Sequence, residues 1–331
     1  MKNKPIHFGN TTIYPGERLT IALPTPEIYT IAPMYTPIHV IHGKKPGPCL
    51  LVCSAMYGDE TNGIALIQRL MQTRFLDSLQ GTLLAVPVLN TYGLITESRF
   101  LPGQRNLDGS FPGSKTGSFA SRLAHYINKE ILKKADYCID IHSGKPYHHK
   151  LPQIHTDMEN ETCRELALSF HAPVISHTTN KRGMLWQLQE EKKPTLIYET
   201  GEAQRLDEFG IRVGIRGILY LMRSLNMLRL QKETREPSSI IIDQKGWIRT
   251  PFSGLCTHVK KPGTYVKNGD LLFRISDPFG SANVFEHRST TDGIVIGSNY
   301  LPLVNEGDPI VEIAVTQTAP LNLEKEMAQC N

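Results

Sequence analysis

The sequence predicts an α/β fold, a mixed sheet with helices on both faces, followed by a small all-β domain at the C-terminus. Continuous apolar runs, CLLVCSAM at 49–56, YCIDIH at 137–142 and TLIYE at 195–199, read as buried strands. Helical periodicity lies between them, and strands that alternate with helices make a sheet covered on both faces. Beyond Glu236 the long periods stop and short strands punctuated by Gly, Pro and Asp take over.

Taken in order, residues 1–48 carry short alternating runs such as TIYPGERLTIALP and read as an N-terminal β segment packed on the α/β domain. Residues 49–237 form the α/β domain. It opens on the strand from Cys49, continues through a helix with Ile64, Ile67, Leu70 and Met71 on one face, and then gives the strand LLAVPVLN and a helix from Gly117. The strands YCIDIH, PVIS and TLIYE and a long helix from Gly210 complete it. Residues 238–320 form the C-terminal β domain and 321–331 a tail. Within the β domain, the stretch from His258 is echoed by the stretch from Val295, and both contain Val-x-x-Gly-Asp. Two like hairpins indicate a pseudo-twofold unit. It resembles the flattened barrel of lipoyl and biotinyl carrier domains. The tip between its halves, SDPFGSANVFEHRSTTDG, has no lysine, so neither prosthetic group is expected.

Composition narrows the function. At 331 residues, 40% hydrophobic and 21% charged, the chain is long and apolar enough for a sizeable core, which excludes a disordered or fibrous protein. Thirty-six Lys and Arg against 32 Asp and Glu leave +4, so no nucleic-acid partner is expected. The N-terminus lacks a signal-peptide apolar stretch, and the helix from Gly210 is interrupted by Arg212, Arg216 and Arg223, so no membrane span is expected. The six cysteines form no Cys-x-x-Cys pair, which suits a reducing cytoplasm. A homo-oligomer is left open.

Ligands of open α/β sheets bind beyond the carboxyl ends of the strands. Three segments follow apolar strands there: Tyr57-Gly58-Asp59-Glu60, His142-Ser143-Gly144 and Glu199-Thr200-Gly201. A zinc hydrolase needs about three protein ligands and a carboxylate outside the coordination sphere as base. Glu60 and His142 are candidate ligands and Glu199 the candidate base. Asp140, on the same strand face as His142, is placed to orient its ring.

These motifs resemble the succinylglutamate desuccinylase and aspartoacylase family of the zinc carboxypeptidase superfamily, over nearly the whole chain. The family's His-Gly-Asp-Glu reads Tyr57-Gly58-Asp59-Glu60 here, its Asp-hydrophobic-His reads Asp140-Ile141-His142, and its catalytic glutamate is matched by Glu199-Thr200-Gly201. The resemblance implies one zinc ion on Glu60 and His142, with Tyr57 at a degenerate ligand position, and a small acyl amide as substrate. The family's Arg-Asp-Leu-Asn-Arg-x-Phe-Pro-Gly reads Arg105-Asn106-Leu107-Asp108-Gly109-Ser110-Phe111-Pro112-Gly113, so Asp108-Gly109 stands where Asn-Arg clamps the substrate carboxylate. An aspartate there repels a carboxylate, which turns the expectation toward a neutral or cationic amide. Arg99 and Arg105 remain as cations for the oxyanion.

The structural readings stand beside these. Tyr57 fills the volume of a lost imidazole, Glu60 serves the positive end of a helix dipole, His142 is a bonded strand-end histidine, and Arg182 satisfies Glu199. Tyr147-His148-His149, read as a loop, is a minor alternative source of a ligand. Two functions follow: a zinc-dependent amidohydrolase with altered ligand and clamp, or a catalytically degenerate member acting as a binding or regulatory protein.

Overall fold

The structure, a computed structural model, describes residues 3–27, 33–178, 182–229, 239–280 and 284–316. The boundary expected near residue 238 and the tail 321–331 lie outside the described residues.

A hairpin of β1 (Ile6–Phe8) and β2 (Thr11–Ile13) precedes β3 (Arg18–Pro24) and β4 (Tyr35–His42). The α/β part contains β5 (Lys45–Ser54), α1 (Thr61–Met71), β6 (Gln80–Val86), α2 (Thr91–Ile95), α3 (Phe119–Glu130) and β7 (Tyr137–Gly144). It continues with β8 (His148–Thr156), α4 (Glu161–Phe170), β9 (Val174–His177), α5 (Gly183–Glu190), β10 (Thr195–Glu202) and α6 (Glu208–Ser224). Then come β11 (Ile240–Ile242), β12 (Lys245–Arg249), β13 (Gly254–Thr257), β14 (Tyr265–Val266), β15 (Leu271–Ser276), β16 (Val284–Arg288), β17 (Gly293–Asn299), β18 (Leu303–Val304) and β19 (Pro309–Val315).

Strands β6, β5, β7 and β10 lie parallel and central, which is why their sequences are continuous apolar runs: both faces are buried. Antiparallel β4 and β3 extend the sheet on the β6 side, and antiparallel β8 flanks β10, giving the mixed sheet expected. One face carries α1, α4 and α6, where Leu66, Ile67, Leu70, Phe170 and Ile218 pack on Val52, Ile141 and Tyr198. The apolar face of α1 is therefore rotated from the expected one. Leu66 is fully buried while Ile64 and Met71 are half-buried, because Asn62 and Gly63 must also face the sheet. The opposite face carries the N-terminal hairpin, α3 and α5, where Phe8, Leu123, Ile127 and Met184 cover Leu51, Cys53 and Cys138.

The C-terminal strands have their own core around Leu272, Phe273, Val295 and Val311. The repeat is real at atomic detail. Gly269 and Gly307 share a left-handed φ of +92° and +86°, while Asp270 accepts from Lys267 N at 2.9 Å and Asp308 from Asn305 N at 2.7 Å. The region is also sewn to the α/β part, since β17 pairs antiparallel with β8, with Gly297 opposite Lys150 and Asn299 opposite His148. Strands β12, β19, β17, β8, β10 and β7 thus form a continuous run within a 13-stranded sheet. No described helix is long and apolar enough to cross a membrane, and the five described cysteines are all buried and unpaired.

Candidate functional site

Because β-strand side chains alternate, Ile139 and Ile141 face the α1/α6 layer while Asp140 and His142 face the opposite side. The parallel register of β10 sets Glu199 opposite His142, so all three side chains share that face at the carboxyl edge. The turn after β5 brings Tyr57, Asp59 and Glu60 to the same place, and Glu60 sits at the N-cap of α1 without capping it with its side chain. Its carboxylate turns into the site instead. Oε1 accepts from His142 Nδ1 at 3.0 Å and Ser143 N at 3.2 Å, while Oε2 accepts from Tyr57 N at 3.2 Å. The other ring nitrogen, His142 Nε2, lies 2.7 Å from Asp140 Oδ2. Burial opposes the imidazolium, but Asp140 and Glu60 outweigh it and raise the His142 pKa well above its ordinary value.

Arg99 completes this group. Its Nη2 is 3.6 Å from Glu60 Oε1, its Nε 3.8 Å from Asp59 Oδ1, and its guanidinium carbon 4.2 Å from the centre of the Tyr57 ring. The Tyr57 ring is in turn 5.9 Å from that of His142. Burial first, then the charge of Asp108, pushes the Tyr57 phenol up to about 12. Asp59 and Asp108 are also raised by burial, Asp59 less so because of Arg99 and Asp108 less so because it accepts from Met184 N at 2.8 Å. That last bond caps α5 from outside, and it requires Gly183, where a Cβ would come within 2.5 Å of the Asp108 carboxylate. Asp108 therefore has a structural use at the expected clamp position. Arg105, by contrast, is exposed and bridges Leu101 through its backbone, and Gly109 is exposed on the same loop.

Glu199 is held from the far side by residues that sequence reasoning missed. His155 Nε2 lies 3.2 Å from its Oε2 and Lys150 Nζ lies 3.8 Å away, rather than Arg182, which is exposed at the start of α5. Burial would raise the Glu199 pKa, yet Lys150 and His155 overcome it and hold the carboxyl well below the usual carboxylate range. Lys150 also contacts Glu312 of β19 at 2.6 Å and lies 5.0 Å above the Trp247 ring of β12. His155 reaches Ser176 through its Nδ1, but Ser176 is 2% exposed, so this Ser-His-Glu chain has no open nucleophile. His148 and His149 begin β8 rather than a loop, next to Trp247 and Asp207.

The zinc set that the resemblance implies is not completed by these residues. Glu60 and His142 are neighbours, but Tyr57 keeps its proton far above neutrality and Arg99 already sits against Glu60. Among the described residues, no three His, Cys, Asp or Glu side chains form a group that could hold a metal ion.

The whole arrangement hangs on Gly58, whose N donates to Ser98 O at 3.0 Å and whose Cβ, if present, would lie 1.9 Å from Gly93 O. Gly58→Ala must displace the 93–99 turn that carries Arg99. Overpacking of this kind costs about 1–3 kcal/mol. Urea denaturation should show that loss, and an unchanged midpoint would mean that the turn moves freely.

An N-alpha-acetyl-L-2,4-diaminobutyric acid deacetylase of Halomonas elongata is 25% identical over 298 residues, 84% of this chain and 85% of that protein. A product-bound structure of the ectoine utilization protein EutE (DoeB) from Ruegeria pomeroyi superposes with a TM-score of 0.79 at 22% identity, over 95% of this chain and 100% of that one. A succinylglutamate desuccinylase from Silicibacter sp. TM1040 gives 0.80 at 24% identity, over 95% of this chain and 99% of that one. Both share the fold, including the C-terminal β region. The family model for the Succinylglutamate desuccinylase/Aspartoacylase catalytic domain matches residues 46–225, more than half of the chain, and the protein belongs to that family.

Proposed function

We propose that the protein is an amide-hydrolysing deacylase for small N-acyl compounds that are neutral or cationic beside the amide, such as N-acyl diamines and diamino acids. The observation that carries this is a carboxylate, Glu199, on the same strand-end face as His142, whose carboxylate partner Glu60 also contacts the cation Arg99. Glu199 takes a proton from water as the water oxygen bonds to the acyl carbon. The oxyanion faces Arg99, while Glu60 and Asp140 hold both nitrogens of His142, and the proton returns to the leaving amine as the C–N bond breaks. No step here is assigned to the zinc ion that the resemblance implies, because Tyr57 does not supply the missing ligand. Asp59, Asp108 and Asp140 make the surroundings acidic, which favours an amine on the substrate. The Halomonas relative, by its name, acts on such an amine-bearing substrate.

A second reading, a binding protein with little turnover, is favoured by one observation. Lys150 and His155 hold the proton affinity of Glu199 low, and a weaker base is a slower one. Acetate release from N-acetyl-2,4-diaminobutyrate and N-acetylputrescine separates the two. Turnover by wild type that is lost in Glu199→Gln supports the deacylase, with N-acetylaspartate and N-succinylglutamate poor because each missing charged hydrogen bond costs about 1.5–3 kcal/mol. Binding without acetate release supports the second reading.

A further inference from the structure

We propose that this site does without a metal ion: the Arg99 guanidinium, shelved on the Tyr57 ring, stands where a metal cation would stand, and its Nη1 donates to an oxygen of the ligand. The geometry carries the argument. The guanidinium carbon lies 4.2 Å from the centre of the aromatic ring at the very position where the family motif has a histidine, and the group reaches Glu60 at 3.6 Å and Asp59 at 3.8 Å. The face of a ring gives no lone pair to a metal, but it attracts a cation. The substitution of His by Tyr and the seating of Arg99 thus form one device rather than a loss.

A buried atom says what the device is for. Arg99 Nη1 is buried and has no hydrogen-bond partner among the described residues. Buried donors are almost always satisfied, so this N–H calls for an acceptor that the protein does not supply. A metal cation cannot be that acceptor, and it would be repelled by the guanidinium that sits against Glu60. A carbonyl or carboxylate oxygen can. Asp59 Oδ1, also buried without a hydrogen-bond partner, keeps the other edge of the guanidinium in an anionic setting and so holds it in place. The inference rests on the deacylase reading only for the kind of ligand, an acyl oxygen.

The test is calorimetric and needs no turnover. Zinc chloride is titrated into the metal-stripped full chain as wild type, Tyr57→Phe, Tyr57→His and Tyr57→His/Arg99→Leu. Wild type and Tyr57→Phe should show no micromolar zinc binding, and Tyr57→His should bind only weakly while Arg99 remains. The double variant should bind at least about tenfold tighter than Tyr57→His, because a unit of positive charge has left the site. In the second arm acetate, the simplest acyl oxygen donor, should bind Tyr57→Phe as it binds wild type and Tyr57→Leu about tenfold more weakly, since only the ring face matters. Stoichiometric micromolar zinc binding by wild type that disappears in His142→Ala overturns the proposal, as does loss of acetate binding in Tyr57→Phe. Absence of turnover on every amide would remove the deacylase reading and leave the zinc result standing.

Discussion

Replacement of Lys150 by methionine is expected to destabilise the protein by about 3–5 kcal/mol, the cost of removing one partner from a buried charge group. Lys150 lies between two carboxylates, Glu312 at 2.6 Å and Glu199 at 3.8 Å, and its side chain is 12% exposed. Without it both acids stay in place, compensated by His155, whose own proton affinity is lowered by burial, and by the charge of Lys245 beside it. Urea denaturation at neutral pH measures the effect, which falls at the lower end if water reaches Glu199. Glu312→Gln should cost less, because Lys150 can then turn fully to Glu199, and the double variant should cost less than the sum of the two. A loss under about 1 kcal/mol for Lys150→Met would show the pair to be screened like a surface ion pair. The pH dependence has a definite sign. The folded pKa of Glu199 is depressed, so its contribution is present above the unfolded value of about 4.3 and is lost as pH falls below it. In Lys150→Met that acid-side loss should flatten.

The second large effect concerns specificity. Asp108→Asn with Gly109→Arg is expected to raise affinity for N-acetylaspartate by roughly 10- to 100-fold, as one or two charged hydrogen bonds replace a repulsion. The fold should accept the change. An asparagine keeps an oxygen for Met184 N, which now donates to Asp108 at 2.8 Å, and the new Cβ at 109 meets only the Asn106 side chain, at 2.9 Å. Calorimetry with N-acetylaspartate reads the outcome. Unaltered affinity would mean that this loop does not border the ligand, and that Asp108 is present solely to cap α5.

What the sequence allowed to be read depended on how strongly each element repeats one pattern. Strands β5, β7 and β10 carry apolar runs because both faces are buried, and the polar residues toward the ends of those strands had to lie at the carboxyl edge. Glu60, His142 and Asp140 could be found for that reason. The Val-x-x-Gly-Asp repeat was equally legible, since a left-handed glycine and an aspartate that accepts from the residue three back leave a fixed signature. Strand β8 was not. Its sequence, HHKLPQIHT, has Pro152 inside it and buries Gln153 and Thr156 beside Leu151 and Ile154, so neither alternation nor an apolar run marks it. The residues that set the charge of Glu199, Lys150 and His155, lie on that strand. Glu312 sits far along the chain in a strand whose neighbours gave no hint of the site. The signal available was a lysine and a histidine in a run otherwise fit for burial, which is costly unless something pairs with them. Arg105 was named with Arg99 for its nearness in sequence, but the loop exposes Arg105 and buries the Arg99 Nη1 atom.

The pairing of β17 with β8 bears on the order in which the molecule can be completed. The two strands lie nearly half the length of the chain apart, and Lys150 meets its partner Gly297 only after β17 has been synthesised. Until then the margin of β8 that β17 later pairs with presents open N–H and C=O groups beside Lys150, whose ion-pair partner Glu312 arrives later still on β19. Such a long-range closure is slow by nature and leaves a sticky border during synthesis. Strands β17 and β19, late among the described strands, are thus the ones that both seal the sheet and set the charge balance behind the candidate catalytic carboxylate.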